Sequence, residues 1–167
     1  MSTAERSTQS AVERRAAETE LRALIARFAP AHERLVVTLR QRLRKRLPAA
    51  HEVVYGYRDC FVISYSPNEH GYEGVIAIRA SAEGVQLYFN QGKELPDPEK
   101  LLRGSGKQTR FIPLEGAATL ALPAVTRLIE AAIAHNRVPF ARTGRGPVII
   151  RSTAAKKRRR PASSAGT

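Results

Sequence analysis

Residues 51–114 hold five short runs rich in Val, Ile, Tyr and Phe, most of them separated by only a few turn-forming residues. That arrangement limits the possible folds more than any other feature of the chain. The runs at 52–57, 59–66, 73–80, 85–90 and 109–114 have the β-branched and aromatic character of strands. Pro67, Asn68 and Gly71 divide the second run from the third, and Ser81, Glu83 and Gly84 divide the third from the fourth. Connections this short join antiparallel neighbours, because a parallel crossover needs about a dozen residues. In the fourth run Val85, Leu87 and Phe89 alternate with Gln86, Tyr88 and Asn90. One sheet face is therefore apolar and has to be covered by helices.

Three helical stretches can provide the cover. Val12, Ala16, Leu21, Leu24, Ile25 and Phe28 recur near helical spacing until Pro30 interrupts them. A second helix is predicted over 31–47, with Leu35, Val36, Leu39, Leu43 and Leu47 on one side and Pro48 as its stop. The third covers 122–136, where Val125, Leu128, Ile129, Ala132 and Ile133 share a face and Pro123 takes a tolerated first-turn position. The expected fold class is α+β: an antiparallel β-meander of about five strands, with two N-terminal helices and one C-terminal helix packed on one face. A single domain is expected over 11–136, between a disordered N-terminus (1–10) and a basic, largely flexible tail (137–167). Within that tail, Pro147 to Ile150 reads as a small extra strand.

Charge is unevenly placed. Residues 1–50 carry 11 basic and 5 acidic side chains, a net +6. Residues 51–136 carry 8 basic and 10 acidic, a net −2, and residues 137–167 carry 9 basic and none acidic. The basic ends can attract polyanions without defining what the centre does. Cys60 is the only cysteine, which rules out an internal disulfide and a multi-cysteine zinc site and fits a reducing compartment. The first residues lack an apolar signal region, and no apolar run is long enough to span a bilayer. A cytoplasmic protein without membrane contact is expected.

The most suggestive connection is 91–114. Arg103, Gly104, Gly106, Lys107 and Arg110 form a glycine-rich turn surrounded by cations, with Lys93 nearby. A phosphate loop would need Gly at 101 and Ser or Thr at 108, where the chain has Leu101 and Gln108. The dinucleotide fingerprint fails at Thr109. What remains is a turn whose amides and cations could hold a small anionic ligand or a protein partner, or a solvated reversal of the chain. On the second helix Arg42, Arg44, Lys45 and Arg46 either complement the helix dipole or face a polyanion. Lys156, Lys157, Arg158, Arg159 and Arg160 form the basic run of the tail, suited to sequence-blind contact with nucleic acid.

No catalytic pattern is present. There is no nucleophile elbow, no His-x-x-His and no His beside Cys60, so a non-enzymatic protein without a cofactor is expected. Phe61, Val62 and Ile63 mark Cys60 as a buried thiol. Glu94, Asp97 and Glu99 surround a Pro-Asp-Pro turn, in which Asp97 can cap the residues that follow. Tyr55, Tyr57, Phe61, Tyr65 and Tyr88 fall on the sheet. Core packing and cross-strand pairing account for them better than base stacking does, because the β-rich region is net acidic and lacks a basic-aromatic RNA-binding pattern.

The order of parts is similar to that of the YdhG-like family, small bacterial domains of unknown function. Leu47-Pro48 followed by Tyr55-Gly56 resembles the family's entry to its sheet. The stretch from Leu95 to Leu114, with its Asp-Pro turn, Leu101-Leu102 pair, Gly-x-Gly-Lys turn and Arg-initiated strand, resembles its second hallmark. The similarity covers about 21–136, and the family's proline after Tyr-Gly is absent. The resemblance implies a frataxin-like α+β fold. It also implies an alternative function, an iron-binding chaperone with iron held by Glu94, Asp97 and Glu99. The Arg-rich helix before the sheet speaks against carrying iron binding over.

Overall fold

The computed structural model describes residues 9–70 and 73–152. The chain is α+β, with a six-stranded, mostly antiparallel sheet and four helices among the described residues. Helix α1 spans Ala11–Phe28 and α2 spans Glu33–Arg46, with a single 3-10 turn at Pro30–His32 between them. Strands β1 (His51–Gly56), β2 (Cys60–Ser66), β3 (Ile76–Ser81) and β4 (Gly84–Phe89) follow as a meander, and β5 (Arg110–Leu114) returns against β4. A short α3 (Ala117–Leu120) leads into α4 (Pro123–His135), and the described chain ends in β6 (Val148–Ser152). The strand order is β5-β4-β3-β2-β1-β6, and β6 runs parallel to β1.

Local chemistry explains the helix boundaries. Ser10 accepts from the Glu13 amide, and the Glu13 carboxylate accepts from the Ser10 amide, a reciprocal capping box that starts α1. Gln9 and Ser10 thus belong to the fold, although a disordered N-terminus was expected through residue 10. Pro123 occupies the first turn of α4, where a missing amide costs nothing.

The pleat sorts the sheet residues onto two faces. Val54, Ile63, Ile78, Leu87 and Ile112 align across five strands, and Phe61, Tyr65, Ile76 and Phe89 lie on the same side. These residues form one buried cluster with Leu21 and Ile25 of α1, Val36, Leu39 and Leu43 of α2, and Val125 and Leu128 of α4. The helices thus cover a single face, as the alternation in the fourth run predicts.

Two features differ from the expectation. A fourth, short helix precedes α4. The sheet has six strands rather than about five, because the small extra strand expected at 147–150 is present as β6 and joins the sheet. Val148, Ile149 and Ile150 extend the sheet because β1 would otherwise leave an unpaired edge. The segment entering β6 is fixed by Gly146, whose amide donates to Pro48 O at 2.9 Å, and by Arg14, which donates to Gly146 O at 2.7 Å. The Gln9 side-chain amide then pairs with both the N–H and the C=O of Val148, substituting for a strand neighbour.

Candidate functional site

The glycine-rich turn is exposed throughout 103–109 and lines neither of the two cavities described below. Gly104 has φ +117, a conformation that favours glycine, and a Cβ placed there would lie 3.5 Å from the Phe111 ring. Arg103 and Phe111 exchange both backbone hydrogen bonds, at 2.8 and 2.9 Å. The Arg110 guanidinium donates to Gly106 O at 2.6 Å and to Thr109 O at 2.8 Å. The turn therefore directs carbonyls at its own arginine, while its backbone buttresses Phe111. Lys107 and Arg103 extend from it as exposed cations.

The three acidic residues near it do not converge. Both Asp97 carboxylate oxygens accept backbone amides, from Leu101 and Leu102 at 2.9 Å each. Glu94 meets His135 Nε2 at 2.5 Å, and Glu99 approaches Arg127 at 3.7 Å. Among the described residues no group of three or more His, Cys, Asp or Glu side chains is placed to hold a metal ion. The donor set that iron would require is thus not assembled here, and the alternative based on Glu94, Asp97 and Glu99 does not fit this arrangement.

The cations of α2 are largely engaged within the fold. Arg40 donates to Glu52 at 2.8 and 3.0 Å and to Glu18 at 2.7 and 2.6 Å. Arg44 lies 3.4 Å from Glu52 and 3.5 Å from Glu18. Glu52 is 2% exposed and also accepts from the buried Tyr65 hydroxyl at 2.9 Å. Burial works against the Arg40 charge, yet its hydrogen bonds to the Glu18 and Glu52 carboxylates hold its pKa above the ordinary guanidinium range. The Arg40 hydrogen bond holds the Glu18 carboxyl below its usual range. Burial, then the Glu52 charge, pushes the Tyr65 phenol well above its usual value. Arg46 forms a two-pronged pair with Glu130, at 2.5 and 2.6 Å, and Arg42 donates to Leu120 O at 3.3 Å. Of the helix cations expected to face a polyanion, Lys45 alone has no hydrogen bond or ion pair among the described residues. The run 156–160 lies outside the described residues.

The larger of two concavities is on the sheet face that the helices leave open. It is a groove of about 500 Å³, lined by Tyr57, Cys60, Val62, Ala77, Arg79 and Tyr88, with Arg58, Asp59 and Asn90 at its margin. Its floor is low because Ala77 and the neighbouring Ser64 are small, and both are buried. Its walls are aromatic. Tyr57 stacks on Tyr55, with ring centroids 6.4 Å apart at 28°, and Tyr88 stacks on Phe111, at 5.1 Å and 25°. Arg79 stands in the middle of the sheet, exposed, and donates to Gln86 at 3.2 Å. The neighbouring Cys60 is the first cause that holds the Arg79 guanidinium above its ordinary pKa; burial opposes it and Tyr88 adds to it. The other cavity, about 20 Å³ between Val75, Leu95 and Ala132, has room for about one water.

The structure bears out core packing for Phe61 and Tyr65 and cross-strand pairing for Tyr88 with Phe111, and adds an outward Tyr55–Tyr57 pair. Phe61 and Tyr65 are core side chains with no exposure, but Tyr55, Tyr57 and Tyr88 point away from the helices and remain half-exposed. Summing charge over 51–136 concealed this site. The outward positions of the six strands hold Arg79, Arg151 and His51 and no carboxylate, whereas Glu52 is buried under α2. Separating alternate residues of each strand would have revealed it. Among the described residues no helix is long and apolar enough to cross a membrane. No protein-family model matches the chain, and comparisons with curated proteins and with solved structures also return no match.

Proposed function

We propose that the chain is a non-enzymatic binding domain that takes an anionic ligand on the open face of its sheet, with the basic run at 156–160 adding sequence-blind affinity for polyanions. The observation that carries this reading is Arg79, set in a groove of about 500 Å³ between two stacked aromatic pairs, on strands with no outward carboxylate. That volume lies within the roughly 300–1,000 Å³ of small-molecule sites, which are mostly apolar with a few placed polar groups. A guanidinium offers a fixed fork of donors to a carboxylate, sulfonate or phosphate. The groove contains Cys60 but no His to serve as its base, which favours binding over nucleophilic chemistry. The exposed cations Arg103 and Lys107 lie beyond Phe111 and would act on a ligand extending past the β5 edge. The succession of motifs over 21–136 supports a YdhG-like, cytoplasmic domain.

Anilinonaphthalenesulfonate, an aromatic anion that fluoresces when removed from water, probes this site. The parent chain should bind it saturably. Arg79→Gln should weaken binding about tenfold, the scale of one hydrogen bond to a charged group, and Arg46→Gln should not change it. Equal binding by the parent and Arg79→Gln would remove the groove from consideration.

A further inference from the structure

We propose that the open face binds single-stranded nucleic acid, with bases stacked on the Tyr55–Tyr57 and Tyr88–Phe111 pairs and phosphates held by Arg79 and Arg151. This rests on the reading of the open face as the binding surface and names the ligand class that its layout fits.

The spacing of the outward aromatic residues suits a single strand. The outward rows read Val53, Ser64, Ala77, Tyr88, Phe111 and Tyr55, Val62, Arg79, Gln86, Pro113. Tyr55 on β1 and Tyr88 on β4 are three strand intervals apart, about 14 Å at the usual sheet spacing. About four nucleotides bridge that span at the roughly 3.4 Å phosphate rise of a stacked strand, and fewer do if the strand is drawn out. A site of that size is comparable with known single-strand platforms of about 4–16 nucleotides. Between the pairs, Ala77 and Val62 form a low floor on which an unstacked base can lie beside Arg79.

The charge of the face suits a phosphate backbone. Arg79 lies between the aromatic pairs, Arg58 lines the groove, and Arg151 flanks Tyr55 on β6, where it also donates to Glu69 O at 2.8 Å. Asp59 is the single carboxylate among the groove-lining residues, against two arginines, Arg58 and Arg79. The described chain ends at Ser152, on the strand beside β1. Lys156 follows by four residues and Arg160 by eight. These five cations add charge that acts on any polyanion without regard to its bases.

Base accessibility favours a single strand over a duplex. In a duplex the faces of the bases are buried in the stack and cannot meet a tyrosine ring. A single strand exposes them, and stacking tolerates any base because each has a π face. The open face offers flat rings and one central guanidinium, a combination that a duplex would leave largely unused.

The test is fluorescence anisotropy of the full chain with a labelled oligothymidylate of about 12 nucleotides, with a duplex of equal length and heparin as competitors. The single strand should bind at least about tenfold tighter than the duplex. Tyr88→Ala should weaken single-strand binding about tenfold, the scale of one stacked base, while Tyr88→Phe, which keeps the ring, should bind like the parent. Deleting 156–160 should weaken single strand and duplex alike and flatten the salt dependence. Equal affinity for the two forms, or Tyr88→Ala and Tyr88→Phe both binding like the parent, would overturn the proposal. If the oligonucleotide fails while anilinonaphthalenesulfonate still binds through Arg79, the ligand class falls and the binding face stands. If both probes fail, both readings fall.

Discussion

Arg40 lies at the centre of the stabilising chemistry between helices and sheet. A guanidinium 13% exposed, held by two carboxylates, links α1, α2 and β1. Such a pair stabilises chiefly by leaving neither charge buried alone. Sequence inspection could place Arg40, Arg42, Arg44 and Arg46 on one helix but not identify their partners, since Glu18, Glu52 and Glu130 come from three other elements. Surplus basicity in the sequence thus became internal pairing in the structure. The Glu18 carboxyl, held low by Arg40, yields a pH prediction. A carboxylate with a depressed folded pKa contributes stability above its unfolded value, and that stability is lost as pH falls through the folded value. Glu18→Gln should lower the unfolding free energy by about 2 kcal/mol at neutral pH, the scale of a hydrogen bond to a charged group. Its deficit against the parent should begin to shrink as pH falls below the ordinary carboxyl value, about 4.3, and disappear as pH passes through the lower folded value. Urea melts across pH measure this, and a constant deficit would contradict it.

At the level of elements, the first five strands and the three main helices were readable because each obeys a local period. Sequence predicts strands at 85–90 and 109–114, and the structure has β4 at Gly84–Phe89 and β5 at Arg110–Leu114. The role of β6 was less readable. The Val-Ile-Ile run reads as a small extra strand, but nothing local in it says that it pairs in parallel with the free edge of β1. Its attachment depends on Gly146, where a Cβ would stand 1.7 Å from Ala50 O and 2.8 Å from Ala49 O. Backbone oxygens cannot move aside as a flexible side chain would. Gly146→Ala should therefore destabilise the chain by about 3 kcal/mol, toward the upper end for point substitutions. Hydrogen exchange should show the amides of β6 losing protection before those of β2 and β3. Uniform protection with unchanged stability would refute this role.

Across the whole molecule, the division of labour follows the two faces of one sheet. The helix face is closed by Leu21, Leu39, Phe61 and Leu87, all nearly without exposure, and carries the ion network at its β1 side. The open face is shallow, aromatic and free of outward carboxylates on its strands. The glycine-rich turn at 103–110 was the most conspicuous sequence feature and turns out to support Phe111 from the β5 edge. The groove was inconspicuous because its residues come from β2, β3, β4 and the loop before β2, each contributing only one to three side chains. Charge summed along the chain misled, because a strand distributes alternate residues to opposite sides.

The account therefore depends on where an anion binds. Amide chemical-shift mapping of the isotope-labelled chain during titration with anilinonaphthalenesulfonate decides this directly. The largest shifts are predicted at Val62, Ala77, Arg79, Tyr88 and Asn90, with little change along α2. Shifts confined to the 103–110 turn or to the helix face, with the groove amides unmoved, would contradict it.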